Sequence, residues 1–163
     1  MIVYLLRHGI AEDWSRGGDA QRALTEEGVI RLQRATVGWK RIVEHVDQVF
    51  VSPLLRAQET AAIFCGAVAT CAERVETTLL VPEARPLSAL EMIHCAQLEG
   101  RRGIACVGHV PNLGGLLGLL LTGSERSAIP FKKGMLAVVD LESSASMTGR
   151  LVAALSQRMA AGL

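Results

Sequence analysis

The sequence has almost no excess of either charge: across 163 residues, 17 Lys and Arg stand against 16 Asp and Glu, a formal net charge of +1. That balance excludes a broad field able to draw in nucleic acid or an anionic membrane, so any affinity for anions must be local. Long hydrophobic runs are also missing. The longest, Leu113 to Leu121, is broken by glycines and too short to span a bilayer. The opening residues, MIVYLL, carry no basic segment, extended apolar core or small-residue cleavage site. They read as a strand and not an export signal, which makes the cytoplasm the expected location. No two of Cys65, Cys71, Cys95 and Cys106 stand in CxxC spacing, and neither HxxxH nor HExxH occurs. No metal or other cofactor is therefore expected. Cys65, Cys95 and Cys106 have apolar neighbours and are expected to behave as small buried hydrophobes. With no repeat, low-complexity tract or linker, the length fits one domain over residues 1–163, enough to bury a substantial core.

What the chain does contain is a regular alternation of short β-rich runs and longer helical patterns, the mark of an α/β fold. MIVYLL is the first strand, and residues 10–24 read as a loop. Thr25 caps a helix with Glu26 and Glu27 in its first turn, and Val29, Ile30, Leu32, Val37 and Ile42 supply its apolar positions. QVFV at 48–51 is a strand, after which Ser52 as N-cap and Pro53 at the first helical position predict a helix. RVETTLLV at 74–81 reads as a third strand, and Ser88 with Glu91 has the spacing of a capping box for a helix through Leu98, closed by Gly100. GIACVG at 103–108 is wholly apolar, as in a strand buried on both faces of a parallel sheet. NLGGLLGLLLTG is a helix stopped by Gly123, and MLAVVDL and RLVAALS form a terminal hairpin across the Ser-rich turn at 143–149.

On this layout Arg7 and His8 end the first strand, Arg56 lies in the first turn of the helix after the second, and His109 directly follows the fourth. The C-terminal ends of parallel strands share one edge, and ligands bind in the crevice there. Two guanidinium groups and two imidazoles with no acid between them suit a compact, multiply charged anion such as phosphate, because the arginine fork matches phosphate oxygens. The start of the helix near Ser52 adds free N–H groups to the same edge. Singly, each residue is equally well a solvated or structural side chain; their joint placement at three strand ends is what points to a site. GHVPNLGG lacks both the Lys-Ser/Thr of a P-loop and the dinucleotide-binding spacing. His45 and His94 read as structural. Arg101-Arg102 and Lys132-Lys133 are too short for a nucleic-acid patch and read as solvated turns, though either could help dock an acidic protein.

LLRHG at 5–9, VSPLLRAQETA at 51–61 and VGHVPNL at 107–113, in that order, resemble the three motifs of the histidine phosphatase, or phosphoglycerate mutase-like, superfamily. The short length and ALTEEG at 23–28 are most similar to its SixA-type phosphohistidine phosphatases. The resemblance runs from Met1 to about Leu155 and implies a three-layer α/β/α sandwich around a mostly parallel, mixed sheet of about six strands. It further implies that His8 is a nucleophile that becomes phosphorylated, while Arg7, Arg56 and His109 hold the phosphoryl oxygens. A backbone carbonyl, by position that of Gly9, would orient His8. The superfamily's large helical lid has no room between Val81 and Gly103, where one ordinary helix fits. An open pocket suits a phosphate displayed on a protein. Imidazole, with a pKa near roughly 6.5, also leaves phosphorus more easily than an alkoxide does.

Glu83 is the first candidate for a proton donor and Asp19 the second, and either reads as well as a plain solvated carboxylate. Arg22 is a candidate contact to the substrate phosphate or a surface residue. Glu59 stands where the family commonly has glutamine. The expected partner is therefore a phosphorylated protein of the histidine phosphotransfer type, with no nucleic acid or membrane and with a monomer favoured. The alternatives are a small-molecule phosphomonoesterase and a non-catalytic module that binds phosphorylated proteins.

Overall fold

A computed structural model describes residues 1–68, 73–126, 129–141 and 147–163. Cys71 and most of the Ser-rich turn lie outside them. The strands are β1 (Ile2–Arg7), β2 (Gln48–Val51), β3 (Glu73–Glu76), β4 (Gly103–Gly108), β5 (Leu136–Asp140) and β6 (Arg150–Leu155). They form one mixed sheet in the order β3-β2-β4-β1-β5-β6. β1, β2, β3 and β4 are mutually parallel, β5 runs antiparallel to β1, and β6 pairs antiparallel with β5. The helices are α1 (Glu26–Ile42), α2 (Leu55–Ala67), α3 (Pro86–Leu98), α4 (Asn112–Thr122) and the short α5 (Gln157–Ala161).

Alternation along the strands sends side chains to two separate cores. Val3, Leu5, Ile104, Cys106, Ala137 and Val139 face α3 and α4, packing with Ile93, Leu113 and Leu116. Tyr4, Leu6, Ala105, Val107, Leu136 and Val138 face α1, α2 and α5, packing with Leu32, Trp39 and Phe64. Helices on both faces make a three-layer α/β/α sandwich of the phosphoglycerate mutase-like type. Between β3 and β4 the chain contains only a 3₁₀ turn (Thr78–Leu80) and α3, and α3 lies in the helical layer against α4, so among the described residues there is no large helical lid.

Several boundaries differ from the sequence reading, each for a local reason. β3 stops at Glu76 because its partner β2 is only four residues long; Thr77 then caps the 3₁₀ turn and drops Leu80 into the core. Helix α2 starts at Leu55, not at Pro53, and Ser52 makes no N-cap to it. Helix α3 begins with Pro86 at its first position after Arg85, ahead of the Ser88 capping box. Thr25 does cap α1, its hydroxyl accepting from Gly28 N–H at 3.0 Å. Ile30 and Val37 face solvent, so the buried stripe of α1 is narrower than the apolar positions suggest. Gly123 ends α4 with φ of 71°, a left-handed conformation that favours glycine. Cys106 is buried, but Cys65 is only half-buried and Cys95 is exposed.

Candidate active site

Strand order brings the four cationizable residues together. β4 lies between β2 and β1, and the register aligns Val51 with Val107 and Arg7 with Gly108. His8 N–H donates to the Gly108 carbonyl at 3.0 Å, and Ser52 N–H to that of Val107 at 3.0 Å. His8 and Ser52 thus flank His109 at three adjacent strand ends. The imidazole rings of His8 and His109 stand 4.8 Å apart, and Arg56 reaches the same place from the first turn of α2.

His8 is nearly buried, and its Nδ1 lies 2.7 Å from the Gly9 carbonyl. A carbonyl only accepts, so Nδ1 carries the proton and the Nε2 lone pair is free. Burial, with the charges of Arg56, Arg7 and Lys133, pushes the His8 imidazole down to about 4, despite the opposing effect of the Gly9 bond. At neutral pH the ring is uncharged, with a free lone pair on Nε2. Its backbone is anchored by Thr60, which is fully buried. The Thr60 hydroxyl accepts from Gly9 N–H at 3.1 Å and donates to the Arg56 carbonyl at 2.6 Å. Thr60 therefore ties Gly9, the residue after His8, to the helix that carries Arg56.

His109 is oriented by Ser52, whose Oγ lies 2.9 Å from His109 Nε2. Ser52 Oγ also accepts from Leu54 N–H and keeps its own proton to offer to Nε2; when Ser52 donates there, the ring hydrogen of His109 sits on Nδ1. That Nδ1 is buried with no partner in the protein. Burial first, then His8 and Arg56, lower the His109 imidazole to about 3. Arg7 donates from one terminal nitrogen to the Phe131 carbonyl at 2.6 Å, and burial lowers its guanidinium pKa. The Nε atoms of Arg7 and Arg56 are also buried without partners. Two unpartnered guanidinium N–H donors and an unpartnered His109 ring nitrogen, beside a free imidazole lone pair, make a place where an oxyanion would be welcome.

Asp19, in the 3₁₀ turn Asp19–Gln21, braces Arg56. Arg56 donates to its carboxylate at 2.9 Å and to its backbone carbonyl at 2.8 Å, and Arg22 donates to the other carboxylate oxygen at 2.7 Å. The Arg56 hydrogen bond, then Arg22, hold the Asp19 carboxyl below the usual range against partial desolvation. A carboxyl so held is ionised and poorly suited to donate a proton. Arg22 donates to the Asp19 carboxylate and to the Glu12 carbonyl. Glu83 is exposed on the loop between the 3₁₀ turn and α3, with no hydrogen bond or ion pair among the described residues. Asn112 ties that loop to the start of α4, donating to the carbonyls of Leu79 at 3.2 Å and Ala84 at 2.9 Å. Glu59 accepts from Leu24 N–H at 2.6 Å and so pins the end of the loop that carries Asp19 and Arg22.

Thr60 and Ser52 are the side chains whose part at the site sequence reasoning missed. Thr60 stands four residues after Arg56, on the same helical face, and Ser52 is the first residue past a strand end at the site edge. Those spacings were the available signals. His45 pairs with Asp47 at 2.6 Å, and Asp47 also takes the N–H groups of Arg102 and Gly103 at the opposite end of β4. That histidine is structural.

Residues 3–79 match the model of the histidine phosphatase superfamily (branch 1). The fold is similar to that of the protein histidine phosphatase SixA solved with tungstate, with a TM-score of 0.87, 24% identity, and coverage of 97% of this chain and 98% of that one. A protein from Agrobacterium tumefaciens assigned to the SixA phosphohistidine phosphatases gives a TM-score of 0.77 at 25% identity, covering 95% of this chain and 97% of that one. In sequence, an uncharacterized protein of Picosynechococcus sp. (strain ATCC 27264 / PCC 7002 / PR-6) is 28% identical over 147 residues, 90% of this chain and 87% of its own length.

Proposed function

We propose that the chain is a member of the histidine phosphatase superfamily and, on that premise, a phosphatase that removes the phosphoryl group from phosphohistidine on a signalling or phosphotransfer protein. The observation that carries this reading is the free Nε2 of a neutral His8 beside the buried, unpartnered nitrogens of Arg7, Arg56 and His109.

In the first step the His8 Nε2 lone pair attacks phosphorus, the substrate P–N bond breaks, and its electron pair stays on the substrate's imidazole nitrogen, which takes a proton from solvent water at the open edge. Water then attacks the phosphorus on His8, the Nε2–P bond breaks, and inorganic phosphate departs with the water's oxygen. Charge spreads over the three equatorial oxygens in both transition states, where positioned cations and N–H donors supply most of the stabilisation. Arg7, Arg56 and His109 are those donors, and they perform the work without a metal. Asp19 and Arg22 act through Arg56 by holding its guanidinium. Glu83 is free to donate a proton to a poor leaving group, which a phosphohistidine substrate scarcely needs.

The lidless edge supports a protein substrate over a small phosphate ester, since nothing folds over a bound metabolite. We read the whole chain, 1–163, as one such domain acting as a monomer in the cytoplasm. The test compares kcat/KM on a phosphorylated histidine phosphotransfer domain, sugar phosphates and aryl phosphates, with chelator present and His8→Ala as control. The phosphoprotein should be turned over far faster. Faster turnover of esters overturns the substrate assignment, and tight binding of the phosphoprotein without turnover overturns the enzymatic reading.

A further inference from the structure

Beside the anion pocket, α5 packs on α1 and leaves a basic groove along their junction. Two adjoining depressions, of about 590 and about 350 Å³, share Arg31, Gln157 and Arg158. The larger adds Arg34, and the smaller adds Ile10, Lys132 and Lys133. No Asp or Glu side chain lines either depression. Arg31 is paired with Glu27 one helical turn earlier, whereas Arg34, Lys132, Lys133 and Arg158 form no ion pair among the described residues. In a chain of net charge +1, that is a local concentration of one sign.

The Lys133 end of the groove lies near His8, whose imidazole feels the Lys133 charge. Ile10 is two residues beyond His8, and Gly134, next to Lys133, donates its N–H to the carbonyls of Arg7 at 3.1 Å and His8 at 2.9 Å. Gly134 has φ of 66°, and a side chain there would collide with Gln157 in the groove floor. The Lys132-Lys133 turn is thereby fixed between the nucleophile and α5.

We propose that this groove docks an acidic surface of the phosphorylated protein substrate, lying across α1 and α5 while the phosphohistidine enters the pocket at His8. The inference rests on the phosphohistidine-protein reading above. A stretch of acidic side chains matches the string of unpaired cations, and a protein reaches both groove and pocket at once. The balanced charge of the rest of the chain disfavours nucleic acid, whose backbone would need cations beyond this strip. Exposed charges of this kind act mainly on encounter and salt dependence, over a screening length of roughly 8 Å at physiological ionic strength.

The test is the double charge reversal Arg34→Glu/Arg158→Glu, which touches no residue of the catalytic machinery. Its activity is measured on a phosphorylated histidine phosphotransfer domain with an acidic face and on free phosphohistidine. The expected result is a fall of at least about tenfold in kcat/KM on the protein, carried by KM, with free phosphohistidine unchanged and the salt dependence flattened. Unchanged turnover of the protein, or an equal loss on both substrates, overturns the proposal. Should the unaltered enzyme hydrolyse neither phosphohistidine substrate, the functional reading fails by itself. The groove is then judged on affinity for the unphosphorylated phosphotransfer domain: about tenfold weaker binding by the double variant supports it, and equal binding overturns it.

Discussion

Replacing Thr60 with valine isolates the link between the nucleophile's backbone and the helix bearing Arg56. Valine keeps the β-branched shape but deletes a fully buried hydroxyl that bonds Gly9 N–H at 3.1 Å and the Arg56 carbonyl at 2.6 Å. The Arg56 carbonyl keeps its ordinary helical partner, whereas Gly9 N–H is left buried with none. An orphaned buried donor costs roughly 1–3 kcal/mol. For a chain of this size about 2 kcal/mol lowers Tm by roughly 4–8 °C. The same change frees the Gly9 backbone, whose carbonyl sets the direction of the His8 ring, so kcat should fall about tenfold or more. Thr60→Ser restores the hydroxyl and should recover kcat to within about threefold while losing about 1 kcal/mol for the missing methyl group. Urea denaturation and steady-state turnover of a phosphorylated histidine phosphotransfer domain read the two effects separately. A valine variant that loses stability but keeps full kcat refutes the positioning argument.

Ser52→Ala removes the hydrogen bond that orients the His109 ring, and kcat/KM should fall about tenfold, the equivalent of roughly 1.4 kcal/mol; undiminished activity contradicts a positioning role for Ser52. The two imidazoles also predict how stability depends on pH. Their folded values of about 4 and about 3 lie below the ordinary 6.5, so between pH 6.5 and about 3 the unfolded chain binds more protons. Their contribution is complete above pH 6.5 and is lost as pH falls through that window. For His8 alone the difference from 6.5 to about 4 corresponds to about 3 kcal/mol. Urea midpoints from pH 7 to 4 should fall steeply in the native chain and less steeply in His8→Asn; equal slopes contradict the burial argument. Glu83→Gln should change turnover of phosphohistidine by less than roughly threefold and slow alkyl esters much more, and a large loss on phosphohistidine would show that its imidazole leaves only with acid help.

Much of this site was legible in the sequence because strand ends were. An apolar run that stops at Arg7-His8, another that stops at Gly108-His109, and a proline after Val51 locate three edges without any tertiary information. The parallel arrangement then converts positions 7, 8, 56 and 109 into neighbours. Less legible were features set by pairing partners. The β-branched run after Arg74 reads as a long strand, yet only the four residues facing β2 can form a ladder, and the core takes Leu80 from a 3₁₀ turn. Val37 is apolar and helical but exposed, because α5 and α2 cover other faces of α1. Ser52 resembled a helix cap since its spacing to Pro53 fits one; only the crossing of β2 beside β4 shows that its hydroxyl meets His109. Asp19 as a partner of Arg56 is equally non-local, 37 residues away across a loop with little periodic signal.

The central claim is that phosphorus passes through His8 Nε2. The direct measurement is a rapid acid-free quench of enzyme mixed with a phosphotransfer domain carrying labelled phosphohistidine, followed by mapping of the label. The account predicts an acid-labile, base-stable phosphoryl group on Nε2 of His8, absent from His8→Ala and turned over to phosphate in a chase. Phosphate release at full rate with no label on His8, or with label on another residue, contradicts it.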